Sequence, residues 1–208
     1  MIGNPVVENR ETFFHRFKGC LRPEDFKNLE AAYQLAKYGH GHHGQRRDSG
    51  ERYFEHLRET ALILVDELEV TDPDLVISAL LHDILEDTFI LDVQMIGKIF
   101  GPRVELTVKT VTKPKKDDPR FSTKEDRLKA HFSGILNGPW EAQLLKLVDR
   151  THNLRTIGDC SIEKQRRKRD ETINDVFPIM EALTKSHPEL GLKVEKLLYD
   201  ALEPILML

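Results

Sequence analysis

The sequence predicts an all-α fold, a compact multi-helix bundle, on three observations. Apolar residues recur at i, i+3 and i+7 in several segments, which is the period of an amphipathic helix. Alternating apolar and polar residues, which are typical of strands, are absent. Prolines and capping residues stand in front of the apolar stripes, where helices begin. Because no repeat or low-complexity linker divides the chain, we expect a single domain over residues 1–208 with its core at about 23–203.

The first half of the chain contains three predicted helices. Apolar stripes over residues 26–36 and 57–68 predict two of them, and Pro23 precedes the first stripe. Asp72–Pro73 combines a capping residue with a proline suited to the first turn, and it predicts the start of the third helix. Leu75–Leu85 is apolar on nearly all sides, so we expect one continuous helix at the centre of the bundle.

The second half of the chain is also predicted to be helical. Two short helices are expected on either side of residues 100–102 (Phe-Gly-Pro). The polar, proline-containing residues 113–122 predict a loop, and Ser122 with Glu125 predicts a capping box for the helix that follows. We expect a further long helix over about 140–157 and two more in the C-terminal third.

Composition and charge limit the class of protein. The net charge of -4 gives no general attraction to nucleic acid or to an anionic membrane. No apolar segment is long enough to span a bilayer, and no signal peptide is recognisable at the N-terminus. Cys20 and Cys160 show no pairing pattern, which favours free thiols and a cytoplasmic location. Glu163–Glu171 is basic but flanked by acids, so a solvated helix face is expected there rather than a nucleic-acid contact.

The stretch LLHDILEDT, residues 80–88, places four ionisable groups among apolar residues. Buried charges of this kind need partners. On a continuous helix, His82 lies one turn before Glu86, and Asp83 lies one turn before Asp87. Neighbouring imidazole and carboxylate groups suit a divalent cation such as Mn²⁺ or Fe²⁺. The acidic pair is then expected just beyond the metal, facing water or a substrate.

Further candidate ligands come from two other predicted helices. His56 lies at the start of one amphipathic stripe, and Asp149 lies in an apolar context with Asn153 and Thr156 on the same helix face. Each residue alone has a simpler explanation, since a buried His-Asp pair is more often structural and His56 alone would more often be a surface residue. The ordered set of histidine, His-Asp and aspartate, each within an apolar helix, favours a metal site.

The ordered motifs resemble those of the HD-domain metal-dependent phosphohydrolases. They are most similar to the hydrolase domain of the Rel/Spo family, which removes the 3′-pyrophosphate from the alarmones ppGpp and pppGpp. The similarity is carried by HHGQRRDSGERYFEHL, ALLHDILEDT, FGPRVELTVKTVTK, KLVDRTHNLRTI and ETINDVFPIM, and it covers about residues 30–200. With 208 residues, the chain has the size of a stand-alone small alarmone hydrolase.

The resemblance implies an HD-domain bundle and a role for each matching residue. It implies a divalent metal, most readily Mn²⁺, and hydrolysis to GDP or GTP and pyrophosphate. Glu86 would orient or deprotonate the water, and Asp87 would assist proton transfer. Three sets of residues follow from the motifs: the metal ligands His56, His82, Asp83 and Asp149; the catalytic pair Glu86 and Asp87; and the guanine- and ribose-binding Arg47, Ser49, Asn153 and Thr156. A small-molecule partner is expected, oligomerisation is possible, and Arg46, Arg47 and Arg150 are candidates for the positive entrance.

One departure from the family pattern leaves the substrate open. Asp48 stands where many relatives carry lysine, which reverses a charge near the expected base or phosphate contact. A phosphohydrolase for another phosphorylated nucleotide is therefore one alternative. An inactive nucleotide-binding regulator is a second alternative, although the intact Glu86–Asp87 pair argues against it.

Overall fold

The chain forms a bundle of helices in the computed structural model, which describes residues 8–42 and 44–208. The described residues form no strand, and Arg46 and Arg52 make only an isolated bridge. The helices are α1 (Arg10–His15), α2 (Pro23–His42), α3 (Tyr53–Leu62), α4 (Pro73–Leu81), α5 (Ile84–Asp87), α6 (Val93–Phe100), α7 (Pro102–Val111), α8 (Lys124–Leu136), α9 (Trp140–Arg155), α10 (Ile162–Glu171), α11 (Phe177–Ser186) and α12 (Pro188–Leu202). The all-α prediction is confirmed.

Two helices occupy the centre of the bundle. Every residue from Leu75 to Leu81 of α4 is buried, and α9 is buried over most of its length. Helices α2, α3 and α7 pack on α4, while α11 and α12 pack on α9. The core also includes Phe13 and Phe17, which precede the expected core boundary at residue 23. Each fully buried leucine or phenylalanine contributes about 1.5–3 kcal/mol, so α4 and α9 form a firm support for polar groups at their ends.

The sequence signals at the starts of the helices are mostly confirmed. The Asp72 side chain accepts hydrogen bonds from the backbone of the first turn of α4, and Pro73 is its first residue. Gly101 joins α6 to α7 with φ 95°, a conformation that favours glycine. The expected capping box at Ser122 was wrong by one residue. Thr123 caps α8 instead, because its hydroxyl accepts from the Asp126 backbone and also donates to the Asp126 carboxylate.

Two helices continue into a π-helical turn. Residues 63–67 extend α3, with the Leu68 N–H donating to the Ile63 carbonyl, and residues 172–176 join α10 to α11. The C-terminal third therefore consists of two continuous helical runs, at 162–186 and 188–202, as expected. None of the helices in the described ranges is both long and apolar enough to cross a membrane.

Candidate active site

The central helix ends earlier than the apolar pattern predicts. We expected one helix through Leu85, but α4 stops at Leu81, and α5 begins after a turn at His82 and Asp83. The Ala79 carbonyl accepts a hydrogen bond from Nδ1 of His82 at 2.8 Å, which competes with the backbone N–H for that acceptor. The break means that the His-Asp and Glu-Asp pairs do not form the two straight columns expected on a continuous helix. It turns both pairs toward a common region.

The four expected metal ligands lie together. They come from α3, from the turn after α4 and from α9, and all four residues are buried. Nε2 of His56 lies 3.2 Å from Oδ1 of Asp149, and Nε2 of His82 lies 3.6 Å from the same oxygen. Oδ2 of Asp83 lies 3.1 Å from Nε2 of His82 and 3.8 Å from Nε2 of His56. The structure therefore brings together residues that are up to 93 positions apart, from His56 to Asp149.

The outer nitrogens of both histidines are hydrogen-bonded. Nδ1 of His82 faces the Ala79 carbonyl, so this nitrogen carries a hydrogen, and Nε2 faces the carboxylates of Asp83 and Asp149. Nδ1 of His56 lies 2.8 Å from Nδ1 of His152, a second buried histidine. His152 was not among the expected site residues. Its position three residues after Asp149, on the same helix, could have indicated it.

The two carboxylates are held by separate groups. Tyr53 donates its hydroxyl to Oδ2 of Asp83 at 2.6 Å. Lys146 donates to Oδ2 of Asp149 at 3.0 Å, and the Asn153 amide donates to Oδ1 at 2.5 Å. Burial and the Asp83 charge raise the pKa of Tyr53 well above its ordinary value, so the phenol keeps its hydrogen. These bonds fix the orientation of both carboxylates.

The electrostatics of the cluster are dominated by burial and opposite charge. Burial lowers the pKa of His56, and burial also lowers the pKa of His152 to about 3, so both rings are neutral near pH 7. For Asp149, burial acts in the opposite direction, but Lys146 and the neighbouring histidines outweigh it and hold the pKa well below its usual range. Burial also disfavours a charge on His82, but Asp83 and Asp149 outweigh it and raise the pKa of this ring well above its ordinary value. Without a metal, the cluster therefore consists of two ionised carboxylates, a neutral His56 and a protonated His82.

This donor set fits a divalent metal ion. Nε2 of His82 is buried without a hydrogen-bond partner in the described part of the chain. This nitrogen faces carboxylate oxygens of Asp83 and Asp149, and a divalent cation in place of its proton would be held by all three groups. The donor atoms of His56, His82 and Asp149 lie within 4.8 Å of one another. Two imidazoles and two carboxylates leave open positions on a hydrated cation, unlike a closed site of cysteines.

The acidic pair lies beside this cluster and opens onto a cleft. The Glu86 carboxylate accepts from the Lys113 backbone N–H at 2.7 Å and from its ammonium at 3.1 Å. The Asp87 carboxylate interacts with the Tyr53 hydroxyl, close to Asp83. Burial raises the pKa of both acidic groups, and the Asp83 charge adds to this effect. Asp87 therefore combines a raised pKa with a position next to the His-Asp cluster.

The cations nearest this acidic pair were not expected from the sequence. Lys113, Lys115, Lys116 and Arg127 line the cleft next to Glu86 and Asp87. The lysines belong to the segment KPKK, whose charge was noticeable but which was assigned only to a loop. Partial desolvation opposes the charge of the Lys113 ammonium, but Glu86 and Asp83 outweigh it and raise its pKa. We call these four residues the basic cleft.

Two of the arginines expected at the entrance are engaged elsewhere. The Arg46 guanidinium donates to the Gly50 carbonyl at 2.7 Å. Arg150 is 2% exposed and pairs with Glu171, with a further bond to Thr172 at 3.2 Å. Arg150 is therefore a buried, paired cation that also lines the cleft described next, and its role at the entrance stays a prediction.

The four residues expected to bind the nucleoside line a second cleft: Arg47, Ser49, Asn153 and Thr156. The Arg47 guanidinium donates to the Asn153 amide oxygen at 2.9 Å and to the Thr156 hydroxyl at 3.0 Å. Asn153 thereby connects this cleft to Asp149, which it contacts through its amide nitrogen. We call this region the nucleoside cleft.

Asp48 faces a cation across the nucleoside cleft. Its Oδ2 lies 2.5 Å from the Lys164 ammonium, and the Cys160 thiol donates to the same oxygen at 3.5 Å. The carboxylate is exposed, and the hydrogen bond from Lys164 lowers its pKa. The negative charge of Asp48 is therefore offset by Lys164 of α10.

Comparison with known proteins gives consistent results. The family model described as HD domain matches residues 32–182. The bifunctional (p)ppGpp synthase/hydrolase SpoT of Escherichia coli K12 is 35% identical over 186 residues, which is 88% of this chain and 25% of that protein. A guanosine-3′,5′-bis(diphosphate) 3′-pyrophosphohydrolase of Haemophilus influenzae is 34% identical over 166 residues, or 78% of this chain and 24% of that protein. The chain thus spans about a quarter of the length of these relatives.

A solved structure has the same fold. A metazoan ortholog of SpoT matches with a TM-score of 0.65 and 24% sequence identity. The match covers 86% of this chain and 97% of that one. At this identity, the likeness shows that the helices are arranged in the same way.

Proposed function

The chain belongs to the HD domain family, and from that premise we propose that it hydrolyses the 3′-pyrophosphate of ppGpp and pppGpp. The products are GDP or GTP and pyrophosphate. The relatives whose names include this activity support the substrate. The observation that carries the proposal is the position of Glu86 and Asp87, between the His-Asp cluster and the basic cleft.

The substrate fits the arrangement of charges. We propose that the nucleoside occupies the nucleoside cleft, where Arg47 can stack on the base and Asn153, Thr156 and Ser49 contact the sugar side. The reacting 3′-phosphorus would then lie at the His-Asp cluster. The leaving pyrophosphate would lie toward the basic cleft, whose cations offset its charge.

We propose His56, His82, Asp83 and Asp149 as the ligands of a divalent metal, with Mn²⁺ as the best fit to two nitrogens and two carboxylates. A bound ion of this kind lowers the pKa of a coordinated water and polarises a phosphoryl oxygen. The protein supplies the remaining steps. Tyr53, Lys146 and Asn153 keep the carboxylates oriented, and the leucines of α4 exclude bulk water behind them.

The contacts suggest a division of work in the acidic pair. Glu86 already accepts hydrogen bonds from both the backbone N–H and the ammonium of Lys113, so we propose that it positions this ammonium toward the departing phosphate. Asp87, whose pKa is raised and whose carboxylate interacts with the Tyr53 hydroxyl, would take the proton from the attacking water. The water oxygen bonds to the phosphorus, the P–O3′ bond breaks, and O3′ receives the proton from Asp87. One water is consumed, and GDP and pyrophosphate leave ppGpp.

A second candidate keeps the chemistry and changes the base. Asp48 and Lys164 place a hydrogen-bond acceptor next to a donor at the nucleoside cleft. The edge of either purine offers a complementary donor and acceptor, so an adenine-containing 3′-pyrophosphorylated nucleotide would also fit.

We also propose a cytoplasmic location, which the free thiols Cys20 and Cys160 support.

One assay tests these functions together. Purified protein is incubated with Mn²⁺ and ppGpp, pppGpp, the corresponding adenine nucleotides, GTP or ATP, and pyrophosphate release is followed. We expect turnover of ppGpp and pppGpp, with GDP and GTP as the nucleoside products. Turnover of the adenine compounds alone would favour the second candidate. Binding of ppGpp without turnover of any compound would contradict both enzyme functions and favour a regulator.

A further inference from the structure

His152 contacts the candidate metal site from behind. It lies one helical turn after Asp149 on α9, and its Nδ1 lies 2.8 Å from Nδ1 of His56. The two rings are 4.8 Å apart between centroids. His152 therefore touches the outer nitrogen of His56, while Asp149 faces the inner nitrogen.

Two facing nitrogens at this distance share a single hydrogen. If His56 donates it, the Nε2 atom of His56 has a lone pair and is ready to bind a metal. If His152 donates it, Nε2 of His56 carries a hydrogen and donates to Asp149 instead, at the observed 3.2 Å. The first arrangement is open to a cation, and the second is closed.

His82 has no such choice. Its Nδ1 faces the Ala79 carbonyl, which can only accept a hydrogen bond. The tautomer of His82 is therefore fixed by the backbone, whereas that of His56 depends on a partner that can either donate or accept. Of these two histidines, His56 is therefore the one whose tautomer can change with its partner.

We propose that His152 is a positioning residue that sets the tautomer of His56 and thereby the affinity of the site for a divalent metal. This proposal rests on the metal site of the proposed function. When the site changes from closed to open, a hydrogen leaves Nε2 of His56, another moves from His152 to Nδ1 of His56, and Nε2 of His152 gains one. The number of protons on the pair does not change.

The same helices are joined by a second contact, which keeps the proposal testable. Arg155, one turn after His152, makes two bonds to Glu67 of the π-helical turn that extends α3, at 2.5 and 2.8 Å. Apolar packing of α3 against α9 adds to this ion pair. A substitution at His152 should therefore leave the two helices in place.

The test compares two substitutions in the full chain. His152→Asn keeps an acceptor oxygen near the position of Nδ1, whereas His152→Phe keeps a ring without an acceptor. Mn²⁺ affinity is measured by titration calorimetry in the absence of nucleotide, and thermal unfolding of the metal-free protein is measured alongside. We expect His152→Phe to weaken Mn²⁺ binding by about 10–100-fold, as for other groups that orient metal ligands, and His152→Asn to restore most of the affinity.

A second measurement observes the tautomer directly. In ¹⁵N spectra of the histidine rings, Zn²⁺ used as a diamagnetic probe should shift the hydrogen of His56 to Nδ1 in the wild type.

His187→Phe is the control for the Mn²⁺ titration. It replaces a half-buried ring that packs on Trp140, and it should leave Mn²⁺ affinity unchanged.

Three outcomes would overturn the proposal. Equal Mn²⁺ affinity in the wild type and His152→Phe would show that His152 does not act on the site. Equal losses in His152→Phe and His152→Asn, together with lower thermal stability, would show a packing role only. Absence of Mn²⁺ and Zn²⁺ binding in the wild type would overturn the metal site and the proposed function as well. Because no nucleotide is present, the first two outcomes leave the hydrolase proposal intact.

Discussion

The His-Asp cluster and the basic cleft are adjacent, yet the protein holds them in different ways. Each carboxylate or imidazole of the cluster is buried and fixed by a named hydrogen-bond partner on a helix or at its end. The lysines of the basic cleft come from the segment between α7 and α8, and Lys115 and Lys116 are exposed. Burial thus requires defined partners, whereas the solvated cations depend mainly on their number and sign.

The largest difference should appear when a cluster residue and a cleft-facing acid are compared. We expect Asp83→Ala to abolish both Mn²⁺ binding and hydrolysis, because it removes a ligand and leaves the Tyr53 hydroxyl without its acceptor. Asp87→Ala should bind Mn²⁺ as the wild type does but lower kcat by about 10²–10⁴-fold, the usual contribution of a general base. Calorimetric titration and a pyrophosphate assay measure the two effects. Equal loss of metal in both variants would contradict the assigned roles.

A substitution at Arg150 tests whether this buried cation at the nucleoside cleft contacts the substrate or only stabilises the fold. Arg150→Met should lower the free energy of unfolding by about 1–3 kcal/mol, because Glu171 loses its bond to Arg150 but keeps its pairing with Lys168. KM for ppGpp should remain unchanged. Denaturant unfolding and steady-state kinetics measure these quantities. The exposed Arg167→Met on α10 is the control, with an expected change within about 0.5 kcal/mol. A raised KM for ppGpp with unchanged stability would show that Arg150 contacts the substrate at the entrance.

Lys113 lies between the His-Asp cluster and the exposed lysines of the basic cleft. Its ammonium pairs with Glu86 but opens onto the basic cleft. We expect Lys113→Met to lower kcat/KM for ppGpp by about 10–100-fold, which corresponds to the loss of one hydrogen bond to a charged group. Lys113→Arg should recover part of the activity, since the charge returns. Lys98→Met, on the exposed side of α6, is the matched control. An effect of the same size in both methionine variants would contradict a role for the basic cleft.

The contrast between the His-Asp cluster and the basic cleft also explains which parts of the site could be predicted from the sequence. The four candidate ligands lie together and the four nucleoside-cleft residues line one cleft, as expected from motifs that occur in order along the chain. The break at His82 was missed because a side chain competing for the Ala79 carbonyl leaves no trace in apolar periodicity. The basic cleft and the partner of Arg150 were missed because they depend on loop geometry and tertiary packing. His152 was missed because its role depends on a ring 96 positions away, His56.

The smallest effect is expected at Asp48, whose negative charge is already balanced by Lys164. The exposed Asp48–Lys164 pair contributes at most about 1 kcal/mol, so Asp48→Asn should scarcely change stability. It removes a negative charge from the cleft that receives an anionic nucleotide and frees Lys164. KM for ppGpp should therefore fall by about 2–5-fold at low salt, and the difference should shrink as salt screens the charges. Asp200→Asn, on α12, is the control. If Asp48 selects the base, the substitution should also change the ratio of kcat/KM for guanine and adenine nucleotides, whereas a purely electrostatic role would change both equally.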